Sequence, residues 1–154
     1  MIDPPKVTQT PVRQTAIIRL TIPRDEIQSV MSPAYSELMD TVAAQGVEHD
    51  GAWFSHHLRM DPGVFDFEVG VPVKAPVAAA GRVQPGQLPA ATVAQTVYHG
   101  GYEGLGDAWG ELDAWVAAEG LSPRGDLWEY YVAGPETNSD PTTWRTELNR
   151  PLAD

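Results

Sequence analysis

The chain has 154 residues, of which 42% are hydrophobic, so it is long and apolar enough to bury a core. It contains no cysteine, which excludes disulfides, thiolate metal sites and cysteine nucleophiles. The formal net charge of −11 disfavours direct binding of nucleic acid and favours a cationic ligand or a basic protein surface, although such acidity commonly serves solubility alone.

The first part of the chain predicts an N-terminal extension, residues 1–14, that lacks the apolar segment of a secretory signal. No later stretch approaches the roughly 20 apolar residues that span a bilayer, so we expect a cytoplasmic protein. The segment "SPAYSELMDTVAAQG" then predicts a helix, with Ser32 as its N-cap, Pro33 at its first position and Gly46 just past its end. Strands are expected on either side of this helix, at about residues 15–22, 52–59 and 65–71.

The second half of the chain has the same order of elements. A connector rich in proline, glycine and alanine, about residues 75–90, comes first, and its "PVAAAGRV" is a candidate edge strand. The segment "YEGLGDAWGELDAWVAAEG" predicts a second helix that stops at Gly120. The strands of this half are expected at about residues 92–99, 127–133 and 143–148.

An internal repeat explains this order. Residues 35–46 match residues 109–120 at a spacing of 74, and "DPGVFDFEVGVP" matches "DPTTWRTELNRP" at a spacing of 79. We therefore predict an α+β fold of two pseudo-symmetric βαββ repeats, about 15–74 and 91–152, which form antiparallel sheets with two main helices. Sheets paired edge to edge would leave a central groove, and ligand sites favour such places.

Several motifs in this order resemble the GyrI-like, or AraC-type effector-binding, domain family over about residues 15–152. They are "YHGGYEGL", "WEYYVAGP", "DPTTWRTELNRP" and, in the first half, "FDFEVGVPV". The resemblance implies a domain that binds small, often lipophilic and cationic, molecules in the central groove without a cofactor. It matches Glu129 to the family's ligand-contacting acid, Tyr131 to the tyrosine that follows it, and Tyr102 to a position near the groove.

The resemblance leaves three functions open for what we expect to be a stand-alone member of the family. The first is a binder that sequesters, senses or detoxifies an amphipathic, drug-like compound. The second is a hydrolase of cyclopropane-containing DNA-alkylating compounds with Glu129 as its catalytic residue. The third is a gyrase-inhibitor-like regulator that acts on a protein partner.

The strand "LWEYYVA" indicates how Glu129 would act. Alternation along a strand puts Leu127, Glu129 and Tyr131 on one face and the intervening residues on the other. If the intervening residues pack on the helix, Glu129 faces the groove, where desolvation raises its pKa and strengthens its attraction for a cation. Nearby rings would add cation–π attraction. The alternative is an exposed or structurally paired acid at a strand edge.

The repeat also predicts ligand contacts from the first half. The positions equivalent to Leu127, Glu129 and Tyr131 are Trp53, Ser55 and His57. His57 is a candidate proton carrier, with a hydrogen-bonded or exposed histidine as the alternative. Because adjacent strand residues face opposite ways, His56 and His57 do not indicate a metal, and we predict none.

The remaining aromatic and acidic residues have ordinary structural interpretations. Trp109, Trp115 and Trp144 are predicted in the core or at sheet–helix contacts. Glu68 and Glu147 are expected to be solvated or paired with arginines, although a minor role in the groove stays open for both.

Overall fold

The computed structural model describes residues 2–59, 63–135 and 138–153. Residues 61 and 62 of the predicted first hairpin lie outside the described residues. The fold is α+β, as predicted. The strands are β1 (Lys6–Thr10), β2 (Arg13–Pro23), β3 (Phe54–Arg59), β4 (Val64–Pro72), β5 (Gln84–Leu88), β6 (Ala91–His99), β7 (Leu127–Ala133) and β8 (Arg145–Pro151), and the helices are α1 (Ile27–Ala44) and α2 (Leu105–Ala118).

The chain divides into two compact units. Residues 11–90 form the repeat-one unit, and residues 1–10 with 91–154 form the repeat-two unit. Within the part of the chain that the structure describes, no helix is long and apolar enough to cross a membrane.

The repeat-one unit is an antiparallel sheet with α1 on one face. Its strands lie in the order β3-β4-β2-β5. Ala34, Leu38 and Val42 recur at helical spacing on α1 and pack on sheet residues that include Ile18 and Val69. All five side chains are buried, so this face of the sheet holds the core of the unit.

The repeat-two unit has the same plan. Its strands lie in the order β7-β8-β6-β1 and are antiparallel. Ala108, Leu112 and Val116 on α2 pack on Ala94 and Leu148 of the sheet. These helix positions are the ones that the repeat aligns with Ala34, Leu38 and Val42, and the predicted duplication is confirmed.

Each unit gains an edge strand that the βαββ pattern does not contain. β5 lies in the connector, just after the "PVAAAGRV" segment that was predicted, and pairs with β2. β1 lies in the N-terminal extension and pairs with β6. β1 therefore precedes repeat one in the chain but belongs to the repeat-two unit, while β5 precedes repeat two but belongs to the repeat-one unit.

The observed start of α1 differs from the predicted start. The predicted start at Ser32 and Pro33 is wrong, since the helix begins at Ile27 and contains Pro33 in its interior. Val30 and Met31 pack against the core of the unit, so tertiary burial extends the helix upstream despite the missing proline N–H.

The predicted glycine stops are confirmed in both helices. Gly46 has φ 67° and Gly120 has φ 72°, a region that favours glycine. After α1, the Gly46 N–H donates to the Ala43 carbonyl at 3.0 Å and the Val47 N–H to the Val42 carbonyl at 3.1 Å. The same pair of bonds follows α2, which is the Schellman arrangement.

We expect Gly70→Ala to lower the free energy of unfolding by about 1–3 kcal/mol, the usual effect of overpacking a core. A Cβ at this position of β4 would lie 2.6 Å from Phe54 Cζ and 2.9 Å from the Ala16 carbonyl oxygen, and a backbone oxygen cannot swing away. Gly110→Ala on α2 is the control, because its Cβ would meet nothing within 4 Å. Urea unfolding should show a loss of stability for the first variant and none for the second; equal midpoints would contradict the packing.

Candidate functional site

Glu129 lies on the face of the sheet that α2 covers. It is paired with Leu148 across β7 and β8, and Leu148 is part of the core beneath α2. The condition under which Glu129 would face away from the helix, that Trp128 and Tyr130 pack on the helix, is therefore not met. Trp128 is paired with Asn149 on the opposite face, yet it is almost fully buried, with 1% of its surface exposed. Because β7 has buried apolar residues on both faces, the sequence pattern alone does not show which face packs on the helix.

Two neutral donors hold the Glu129 carboxylate. The Trp109 indole N–H donates to Oε1 at 2.6 Å, and the Tyr131 hydroxyl donates to Oε2 at 3.0 Å. Trp109 comes from α2 and Tyr131 from the same strand as the acid, two residues further on. Glu129 is 8% exposed, so this is an interior carboxylate with hydrogen bonds to both oxygens.

Burial raises the pKa of Glu129, and the hydrogen bonds from Trp109 and Tyr131 lower it in part. Taking a carboxylate out of water penalises its charged form, whereas donated hydrogen bonds favour that form. Among the described residues, no ion pair includes Glu129. Within the described ranges, the groups that donate hydrogen bonds to this carboxylate are thus neutral.

Further rings extend the site along the repeat-two unit. Tyr102 meets Tyr131 edge to face at a centroid distance of 5.8 Å, and Trp144 lies 5.0 Å from Tyr102. We call Glu129, Trp109, Tyr131, Tyr102 and Trp144 the Glu129 site. The structure thus brings the predicted residues Glu129, Tyr131 and Tyr102 together.

Two members of the Glu129 site were predicted only as core or interface residues. Trp109 does pack against the α2 core, but its N–H also reaches the carboxylate. Trp144 contacts Tyr102 and donates its N–H to the Asn138 carbonyl at 2.8 Å. Helical spacing identified the face of α2 on which Trp109 lies; only the register of β7 shows that Glu129 lies beneath it. Leu127, also predicted at the site, is buried at the start of β7.

The candidates in the repeat-one unit lie on and just before β3. Ser55 and His57 are buried on β3. Ser55 is paired with Val69 and His57 with Phe67, so both lie on the face that α1 covers. Trp53 precedes the strand, and its ring lies 4.7 Å from that of Tyr35. A ligand contact by Trp53, Ser55 or His57 stays a prediction.

The His57 ring packs against two phenylalanine rings and is neutral at physiological pH. Its ring stacks on Phe67 at 4.9 Å and meets the edge of Phe65 at 5.0 Å. Burial, followed by the charges of His56 and Arg24, lowers the pKa of His57 to about 4. The imidazole is therefore far from the titration range that suits a proton carrier at neutral pH.

The other two acids considered in the sequence, Glu68 and Glu147, lie on the sheet faces that the helices do not cover. His56 Nδ1 lies 3.7 Å from Glu68 Oε1. Glu147 Oε1 accepts hydrogen bonds from Gln95 at 3.1 Å and from Asn149 at 3.2 Å, so amides take the place of the expected arginines. In the described ranges, no group of three or more histidine or acidic residues is arranged to hold a metal ion.

Comparison with known proteins gives a family and a fold. The sequence matches the family described as the GyrI-like small molecule binding domain over residues 3–153. No curated protein sequence matches the chain.

Solved structures of low sequence identity share the fold. The EcmrR C-terminal domain has a TM-score of 0.85 at 20% identity, with 98% of each chain covered. SAV2435 bound to tetraphenylphosphonium has a TM-score of 0.73 at 11% identity, covering 98% of this chain and 94% of that one. A hydrolase from Listeria innocua has a TM-score of 0.63 at 12% identity, covering 97% of this chain and 91% of that one.

The likeness to EcmrR concerns one part of that protein. In a complex of EcmrR with DNA, the match has a TM-score of 0.85 at 19% identity and covers 98% of this chain, which spans 57% of the EcmrR chain. The duplicated fold and the match over residues 3–153 agree. The chain belongs to the GyrI-like small-molecule-binding domain family.

Proposed function

We propose that the chain binds lipophilic small molecules, above all cationic ones with aromatic groups, at the Glu129 site. The observation that carries this proposal is a buried carboxylate whose two hydrogen-bond donors, Trp109 and Tyr131, are both neutral. Since none of the described residues forms an ion pair with Glu129, a cationic ligand would supply the positive charge that balances the ionised carboxylate.

The electrostatics favour a cation over a neutral molecule of the same size. Attraction between opposite charges grows as water is excluded, because the effective dielectric constant falls. The net charge of −11 adds a general attraction for cations. Tetraphenylphosphonium, the compound named with SAV2435, is a lipophilic cation of this class.

The aromatic members of the site favour an apolar ligand. Tyr102, Tyr131 and Trp144 form a row of contacting aromatic rings beside the carboxylate, and none of them is charged. A cation over such a ring gains about 0.5–2 kcal/mol, and apolar groups of the ligand gain from leaving water. A small hydrophilic cation would gain only the electrostatic attraction to Glu129, and it would lose its hydration shell.

Calorimetric titration with methyltriphenylphosphonium and with triphenylphosphine oxide tests this function. The two compounds share three phenyl groups on phosphorus and are similar in size, but only the first, with a methyl group in place of the oxygen, is a cation. We expect the cation to bind at least about tenfold more tightly, equivalent to about 1.4 kcal/mol. Equal affinities, or binding of the neutral compound alone, would show that charge does not select the ligand.

Hydrolysis of cyclopropane-containing compounds is a second candidate, favoured by the raised pKa of Glu129. A carboxyl group that holds its proton nearer to neutral pH serves as a general acid. As water adds to a ring carbon, the strained carbon–carbon bond would break and its electron pair would move to a conjugated carbonyl. That carbonyl oxygen would take the Glu129 proton, and the added water would return a proton to the carboxylate.

Turnover distinguishes the hydrolase from the binder. Incubation of the protein with an excess of a cyclopropane-bearing enone, followed by mass spectrometry, should reveal a water-added product in many molar equivalents if the chain is a hydrolase. Unchanged compound that is retained by the protein supports binding alone.

A further inference from the structure

We propose that Trp109 makes the Glu129 site select fully substituted onium cations, such as quaternary ammonium and phosphonium ions, over protonated amines and guanidines. This inference rests on the proposed function. It concerns which cations the site accepts, and it follows from how the carboxylate is already occupied.

Both oxygens of Glu129 already accept a hydrogen bond. Trp109 takes Oε1 at 2.6 Å and Tyr131 takes Oε2 at 3.0 Å. The indole N–H can only donate, and the Oε1 atom of Glu129 is the acceptor that it uses here. A carboxylate retains further lone pairs, but Glu129 is only 8% exposed, so little of its surface is open to a new donor.

A ligand that carries N–H groups is therefore at a disadvantage. It gives up hydrogen bonds to water on entering, and recovers them only by displacing Trp109 or Tyr131 from the carboxylate. Displacement leaves a buried donor without its partner, which is more costly than the loss of an average hydrogen bond. A protonated amine is therefore expected to bind less tightly, whether or not it displaces one of these donors.

A fully substituted cation avoids both losses. It has no N–H to satisfy, and its charge interacts with Glu129 at separations beyond hydrogen-bond distance. Ring faces are suitable contacts for such ions, since quaternary ammonium groups are recognised by aromatic cages. Trp109 and Tyr131 can then keep their hydrogen bonds to the carboxylate while the cation lies against the rings of the site.

The internal repeat shows that this arrangement is not a requirement of the fold. The positions of Trp109, Glu129 and Tyr131 are occupied in repeat one by Tyr35, Ser55 and His57. Tyr35 there contacts the ring of Trp53, and the unit forms the same helix-on-sheet core. The indole-to-carboxylate bond is a local feature of the repeat-two unit.

The test compares (1-naphthylmethyl)trimethylammonium with protonated (1-naphthylmethyl)dimethylamine, a pair in which one methyl group replaces one N–H. Calorimetry at neutral pH should give about tenfold tighter binding of the quaternary ion to the wild-type protein. Trp109→Phe keeps a ring but removes the donor, so the affinity ratio should fall towards one. Trp115→Phe is the control, because Trp115 packs on the same α2 core and should leave the ratio unchanged.

The possible outcomes separate this inference from the proposed function. Equal binding of both ions to the wild-type protein overturns the selectivity while the binding function stands. A ratio that Trp109→Phe leaves unchanged overturns the role of Trp109. Failure of both ions to bind overturns the proposed function and this inference with it. The wild-type ratio remains a test even if Trp109→Phe does not fold.

Discussion

Glu129→Gln is expected to weaken the binding of lipophilic cations by about tenfold or more while leaving neutral ligands of the same size almost unaffected. The substitution keeps the shape of the side chain and removes its charge. The amide oxygen can still accept from the Trp109 indole, and the amide N–H₂ can donate to the Tyr131 hydroxyl, so both observed neighbours retain a partner. A change in binding would then report the charge itself.

The same substitution should stabilise the protein at neutral pH. Burial raises the folded-state pKa of Glu129, so the native state binds the proton more tightly than the unfolded chain does. Stability from this group is fully present below the unfolded pKa of about 4.5 and is lost as the pH rises through the folded-state value. Glutamine has no such titration, so Glu129→Gln should gain stability over wild type as the pH increases.

Calorimetry with a cation and a neutral analogue, together with urea unfolding across the pH range, measures both effects. Glu147→Gln is the matched control, since it removes the same charge from the opposite face of the same sheet, where Glu147 accepts from amides. Equal losses of cation affinity in the two variants would indicate a general field effect and would argue against the Glu129 site.

The comparison of α1 and β7 shows which features the sequence could predict. The stop at Gly46 and the exact bounds of Leu127–Ala133 follow from local preferences, namely a left-handed glycine and a run of β-branched and aromatic residues. The start of α1 depends on core contacts of Val30 and Met31, which no capping signal reveals. β1 escaped prediction because "KVTQT" has little apolar content and forms its strand by pairing with β6.

The candidate site was predictable in part for a similar reason. Glu129, Tyr131 and Tyr102 carry a recognisable motif, and alternation correctly grouped Glu129 with Tyr131. Which face α2 covers is decided by the register of β7 against β8, a tertiary property. Without it, Trp109 could not be recognised as a donor to the acid.

The two repeats share their core positions and differ around Glu129. Ala34, Leu38 and Val42 of α1 have apolar counterparts in α2 that form the same kind of core. The residues around Glu129 have diverged, since serine and histidine occupy the equivalent positions on β3. Each unit has its own core, and the repeat-two unit carries a buried acid at a position where the repeat-one unit has serine.

The second large effect that we expect is a loss of protein stability at acid pH, caused by protonation of His57. Burial lowers the pKa of His57 from 6.5 to about 4 in the folded protein. The unfolded chain then binds the proton more readily, so stability from His57 is fully present above about pH 6.5 and is lost as the pH falls through the folded value. The difference corresponds to about 3 kcal/mol of unfolding free energy between these limits.

His57→Phe should remove this part of the acid sensitivity. Phenylalanine keeps a ring that stacks on Phe67 and meets Phe65, but it cannot be protonated. Urea unfolding from about pH 7 to about pH 4.5 should show that wild type loses stability more steeply than the variant. His49→Gln is the control, because it removes an exposed histidine and leaves the rings around His57 in place. Parallel curves for wild type and His57→Phe would show that the imidazole is not held neutral by burial among these rings.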